Sequence, residues 1–205
     1  MNSVQIMITS RRERLKQEIR SEILAAARDL FLTEGYANVS MRKIADRVGC
    51  APGTIYLHFE DKDAILSAIC VSTFAILDKH MEAIASDQSD PLERLRRGGR
   101  QFIQFGLDHP DHYRLTFGGA YVGPKDEASQ QAGQHSFDCL RRCVGMCMAA
   151  GELRSTDVEE VAQSLFACVH GVVMLLIGMP HFPLIERNRL IDSVLDVLIE
   201  GIRKR

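Results

Sequence analysis

The chain has 205 residues, 46% of them hydrophobic, which is enough to bury a full core. Its six cysteines fall at scattered spacings with no paired CxxC, which argues against a disulfide framework and fits reduced thiols. A net charge of −2 excludes a uniformly basic protein, yet residues 1–58 hold nine Lys or Arg against six Asp or Glu, where the whole chain holds 25 against 27.

That asymmetry describes a basic head followed by an acidic body. Residues 1–8 lack a basic leader and their apolar run is broken by Gln5, so a disordered arm is expected there and an export signal is not. Arg11, Arg12, Arg14 and Lys16 follow; they could reach DNA phosphates or an adjacent groove, or form a solvated charge run. Ile19, Ile23, Ala27, Leu30 and Phe31 mark the apolar face of a first helix that ends at Gly35.

Residues 40–59 read as two short helices joined by a glycine turn. Met41, Ile44, Ala45 and Val48 recur at helical spacing, Gly49 supplies the turn, and Pro52 suits the first turn of the next helix. Such a pair places its second helix in the DNA major groove. Ser40 caps the first of the two, but Lys43 stands where a capping box would want Glu or Gln, and Arg42 adds a second cation where the helix dipole disfavours one. An external phosphate at this helix start would reconcile cap and charge, with Asp46 offering Arg42 only a weak pair.

Beyond the head the pattern stays helical. A fourth helix over residues 61–85 carries Ile65, Leu66, Ile69, Leu77, Met81 and Ile84 and is long enough to transmit a change from body to head. Asp90-Pro91 opens a fifth, which ends near His109-Pro110, and a short sixth follows before a loop with Gly118-Gly119 and Gly123-Pro124. The seventh, eighth and ninth are expected at residues 128–149, 157–177 and 185–203. The apolar run at 165–179 contains His170 and is too short to span a bilayer, so a buried helix is expected. The last two helices carry more apolar residues than one stripe needs. Val172 and Leu195 are among the positions expected to form an intersubunit four-helix bundle with a second copy.

Residues 40–66 resemble the DNA-binding domain of the tetracycline-repressor (TetR) family of transcriptional regulators, through Ser40, Ile44-Ala45, Gly49, Thr54, Tyr56, Phe59 and Lys62, with Gly35 closing the preceding helix. The resemblance implies an all-α fold of about nine helices, with a three-helix DNA-binding head over residues 1–60 and an effector-binding and dimerisation domain over 61–205. It also implies that Thr54 and Tyr56 make groove and phosphate contacts, with His58 at the phosphate edge. Ile55 and Phe59 are better placed to face the core. Gly53 would let the reader approach the duplex closely, or serve turn geometry alone; Pro52 is counted with the DNA-binding residues, and Lys62 would meet a phosphate at the start of the fourth helix, a solvated surface lysine being the alternative. Ala51 replaces the family's frequent serine, so a side-chain cap is missing there.

Phe166-Ala167-Cys168-Val169-His170-Gly171 resembles a Trp-x-x-x-His-Gly motif of one branch of the family, with Phe166 in place of the tryptophan. His170 is expected to be a hydrogen-bonded core histidine beside a close-packing glycine, with effector contact the alternative. Phe74, Phe102, Phe105, Tyr113, Phe117 and Phe137 are candidate pocket residues and equally candidate core. His135, Cys139, Cys143 and Cys147 recur every fourth residue, but Cys139 and Cys147 would lie about 12 Å apart along the axis, so one ion cannot take all four and a packing face is the better reading. With no nucleophile elbow, P-loop or dinucleotide fingerprint, an enzyme is not expected, and no cofactor or metal is assigned. The expectation is a soluble, cytoplasmic, homodimeric repressor, released from a palindromic operator by a small molecule.

Overall fold

A computed structural model of the chain describes residues 3–119, 126–154 and 157–204, and the side chains of 3–10 and 85 lie outside that description. Among the described residues there are nine α-helices and no β-strand. They are α1 (Ser3–Glu34), α2 (Met41–Val48), α3 (Pro52–Tyr56), α4 (Lys62–Ala85), α5 (Pro91–Asp108), α6 (Pro110–Phe117), α7 (Glu127–Ala149), α8 (Val158–Gly178) and α9 (Arg187–Ile202), with one 3₁₀ turn at Tyr36–Asn38.

Local chemistry sets most of these boundaries. Asp90, Asp157 and Glu186 each accept backbone N–H bonds at the starts of α5, α8 and α9, and Asp61 accepts from the Ala64 N–H at 2.8 Å to open α4. Gly151 closes the turn after α7 with φ 75. The arm expected at residues 1–8 is instead helical from Ser3 onward, because nothing between Ser3 and Glu34 is Gly or Pro and the long polar side chains favour continuing the helix. The loop containing Gly123-Pro124 lies outside the described residues.

The chain forms two compact units: Met1–Cys70 with Arg114–Asp126, and Val71–Tyr113 with Glu127–Arg205. In the first, Ile23, Ala27, Leu30 and Phe31 of α1 bury against Ile44 and Ala45 of α2, Ile55 of α3, Phe59, and Ile65, Leu66 and Ile69 of α4. This is one continuous apolar core under the two short helices.

In the second unit α5 is packed by α7, α8 and α9. Two α5 glycines allow the close approach: a Cβ at Gly99 would lie 2.8 Å from Leu195 Cδ2, and one at Gly106 would collide with Val173 and sit 3.1 Å from Tyr113. By contrast a Cβ at Gly171 meets nothing within 4 Å, so the close-packing role expected of it is not its role within this chain. Arg141 grips Glu159 with two bonds, Nε to Oε2 at 2.7 Å and Nη2 to Oε1 at 3.0 Å, tying α7 to α8 and holding that carboxyl down to about 2.

Helices Lys62–Ile84 and Val158–Gly178 are long and apolar enough to cross a membrane by length and composition, the second because it continues the run at 165–179 back to Val158, under the Asp157 cap. Val161, Ala162, Leu165, Val169, Val172 and Val173 of α8 are buried in the chain's own core, as are Ile191 and Leu195 of α9. Val172 and Leu195 are therefore core residues and not seam positions. The exposed apolar side chains are others: Val197 of α9, which is 70% exposed, and Met179, Phe182 and Ile185 of the connector between α8 and α9.

Candidate nucleic-acid interface and effector region

The turn between α2 and α3 is fixed by Gly49, whose φ of 78 places it in the left-handed region and whose N–H reaches Ala45 O at 2.9 Å. At the other end of α2, Ser40 Oγ accepts the Lys43 N–H at 3.2 Å. Pro52 stands in the first turn of α3, and Ala51 caps without a side-chain bond. Ile55 and Phe59 bury their side chains, which turns Tyr56 outward at 57% exposure and Leu57 at 80%. Pro52 and Gly53 are exposed beside them, while Thr54 and His58 are half-buried.

The cations of the head divide into two groups. Lys43 pairs with Glu34 and also donates to Asn38 O at 3.4 Å, so the last turn of α1 supplies the acid that the sequence around Ser40 lacks. An external phosphate is therefore not needed to explain that lysine. Arg47 pairs with Asp29. Arg42 is exposed in the first turn of α2, and among the described residues it makes no ion pair, the weak one expected with Asp46 included.

Lys62 has partners inside the head. Its Nζ donates to Tyr36 O at 2.9 Å and Val39 O at 3.2 Å and lies 4.3 Å from the centre of the Tyr36 ring. Arg20, which the sequence reading did not single out, donates to His58 O at 3.2 Å and stacks over the Phe59 ring at 4.2 Å. Burial lowers the pKa of His58, and Lys16 and Arg20 nearby lower it further, so the ring is more fully neutral at pH 7 than a free histidine.

In the second unit the aromatic candidates converge only in part. Phe102 stands edge-on to Tyr113 and to Phe166, each at 5.7 Å between centroids, and Phe137 stands edge-on to Phe166 at 5.8 Å. His170 stacks between Tyr113 at 5.7 Å and Phe166 at 5.6 Å, and its Nδ1 lies 2.7 Å from the Tyr113 hydroxyl. Phe166 thus keeps a ring where the motif has tryptophan. The Phe74 ring lies 3.2 Å from where a Gly133 Cβ would be, and Phe105 packs on His109. Phe117 belongs to the other unit.

On α7, Cys139 and Cys143 are half-buried and Cys147 is buried. A hydrogen bond from Cys143 and the charge of Arg142 lower the Cys139 pKa, while burial raises Cys147 to about 11. No group of three or more His, Cys, Asp or Glu side chains among the described residues could hold a metal ion.

This arrangement matches known proteins at both ends of the chain. The family described as "Bacterial regulatory proteins, tetR family" matches residues 23–69, and "Tetracyclin repressor-like, C-terminal domain" matches residues 95–200. The chain belongs to the TetR family. Among curated relatives, the transcriptional repressor BepR of Brucella suis is 31% identical over 192 residues, covering 88% of this chain and 92% of that protein. The probable transcriptional regulator ArpR of Pseudomonas putida is 29% identical over 200 residues, covering 89% and 92%. A transcriptional activator, FasR of Mycolicibacterium smegmatis, is 30% identical over 122 residues, covering 56% of this chain and 52% of its own.

Solved structures share the fold. The fatty acid degradation regulator FadR of Bacillus halodurans superposes with TM-score 0.75 at 20% identity, over 91% of this chain and 97% of that one. A Rhodococcus TetR-family regulatory protein gives 0.76 at 18% identity, over 90% and 96%. As a TetR-family member this chain is a ligand-responsive DNA-binding transcriptional regulator and not an enzyme, and such regulators bind operators and small-molecule effectors as dimers.

Proposed function

We infer that this regulator is a cytoplasmic repressor that binds a palindromic operator as a homodimer and leaves it when a small molecule occupies the second unit. The observation that carries the reading is the outward face of α3. Burial of Ile55 and Phe59 leaves Tyr56 and Leu57 projecting beside Pro52 and Gly53, which add little bulk between backbone and duplex. Tyr56, Thr54 and His58 contact the groove and its phosphate edge, and Arg42 with the start of α2 contacts a phosphate. Ser40 and Lys43 fix that helix start through the cap and the pair with Glu34.

The unburied apolar faces of α8 and α9, centred on Val197, form the seam with the second copy. The rings of Phe102, Tyr113, Phe137, Phe166 and His170 favour an apolar or aromatic effector. Selection from random duplex DNA tests the reading. Enriched sequences should be inverted repeats with half-sites about one helical turn apart, about 34–36 Å. Enrichment of a single unrepeated site, or of none, would contradict it.

A further inference from the structure

Two cations that a sequence reading assigns to the DNA surface, or passes over, are spent inside the head. Lys62, in the first turn of α4, reaches back 26 residues to the carbonyl of Tyr36 and 23 to that of Val39, the two residues that frame the connector from α1 to α2. The Tyr36 ring lies against the same ammonium and packs on Phe31 at 5.1 Å, so the connector is pinned from the core side as well. Ser40, the cap of α2, follows Val39 directly. At the other end of the reader Arg20 of α1 holds the His58 carbonyl and covers Phe59, the residue that anchors the exit from α3.

These bonds have a different character from the head's other ion pairs. The side chains of Lys43, Glu34, Arg47 and Asp29 are between 35% and 50% exposed, and such pairs exchange readily with water or a phosphate. Lys62 and Arg20 are half-buried and bond backbone carbonyls, which have no rotamer freedom to follow a departing cation.

We propose that Lys62 and Arg20 are positioning residues that brace the two ends of the α2–α3 reader, and that Lys62 is not a phosphate contact. Lys62 sets where the N-terminus of α2 begins, and Arg20 sets where α3 ends. The tilt of α3 in the groove, and with it the register of Tyr56 and Leu57 on the base edges, depends on both braces. The proposal rests on the operator-binding reading of the head.

Salt titration separates the possibilities, because each phosphate contact contributes about 0.9 to the slope of log affinity against log salt. The full-length protein and its Lys62→Met variant are titrated against the selected operator and against a scrambled duplex. A brace should cost about tenfold in the operator-to-scrambled ratio, the size of one base-pair mismatch, with the salt slope unchanged. A slope smaller by about 0.9 per subunit, with both duplexes weakened alike, makes Lys62 a phosphate contact and overturns the proposal. A lowered melting temperature with an unchanged ratio makes the role merely structural and overturns it too. Arg20→Met carries the same expectation at the other end of the reader, and decides the matter should Lys62→Met fail to fold. Wild-type protein that preferred no duplex would instead remove the operator-binding reading itself, an outcome seen before any variant is measured.

Discussion

The Tyr113 hydroxyl lies 2.7 Å from His170 Nδ1, and the two rings stack 23° from parallel inside a cluster of phenylalanines. Burial raises the phenol's pKa and lowers the imidazole's, so both groups are neutral at pH 7. A neutral His170 can hold this bond with Nδ1 either accepting the phenol proton or donating to its oxygen, according to tautomer; a protonated one can only donate.

The first prediction follows from that sign. His170 is held neutral in the folded chain and titrates near 6.5 when unfolded, so its contribution to stability is complete above about pH 6.5 and is lost as pH falls toward the lower folded value. The melting temperature of wild type should drop between pH 7.5 and 5.5. Its advantage over His170→Gln should narrow across the same range, measured by circular dichroism. An advantage that widens on acidification would show that the charged imidazole is the stabilised form.

Gly106→Ala should destabilise the second unit by about 1–3 kcal/mol, because the new methyl group lands on Val173. Val173→Ala should relieve part of that clash, so the double variant should be more stable than the sum of the two singles implies. Denaturant titration of the four proteins checks it, and strict additivity would deny the contact.

Dimerisation gives a third test. Val197 is exposed on α9, whereas Val172 and Leu195 are buried in the chain's own core. Val197→Glu should yield a helical, soluble monomer by light scattering, because a charge there meets the partner's apolar face. Leu195→Glu should lose folded protein altogether. A Val197→Glu protein that stays dimeric at micromolar concentration would move the seam elsewhere.

On α7, Cys143→Ala removes the hydrogen bond that favours the Cys139 thiolate, so the Cys139 pKa should rise toward that of a free thiol. The pH dependence of Cys139 alkylation, read by mass spectrometry, should shift upward accordingly. Release from DNA by the true effector should survive the change. Loss of that release, with folding intact, would assign the thiols a sensing role in place of packing.

What the sequence disclosed, and what it hid, divides by range. Ser40, Gly49, Asp90, Pro91, Asp157 and Gly151 act on their own few residues, so helix starts and stops are read from them within one or two positions. Ile55 and Phe59, four residues apart, were legible as the inward face, and the same spacing could have identified Leu57 as exposed.

The internal partners of Lys62 and Arg20 were not legible because they are distant in the chain. Lys62 is 26 residues from Tyr36, and Arg20 is 38 from His58. Nothing in local spacing announces such a pairing. Val172 and Leu195 were misassigned to the seam for a similar reason: α8 and α9 are apolar on two faces, and only their packing on Gly99 and Gly106 of α5 shows which face the chain keeps for itself.

The most direct test of the account is equilibrium binding of the selected operator by wild type and Tyr56→Ala at several salt concentrations, followed by fluorescence anisotropy. Tyr56 is exposed on the reader, so its loss should leave folding stability within about 0.5 kcal/mol of wild type. Operator affinity should fall by about 1–3 kcal/mol, toward the level of the scrambled duplex, while scrambled binding changes little. Undiminished operator preference in a folded Tyr56→Ala protein would contradict the claim that the outward face of α3 reads the DNA.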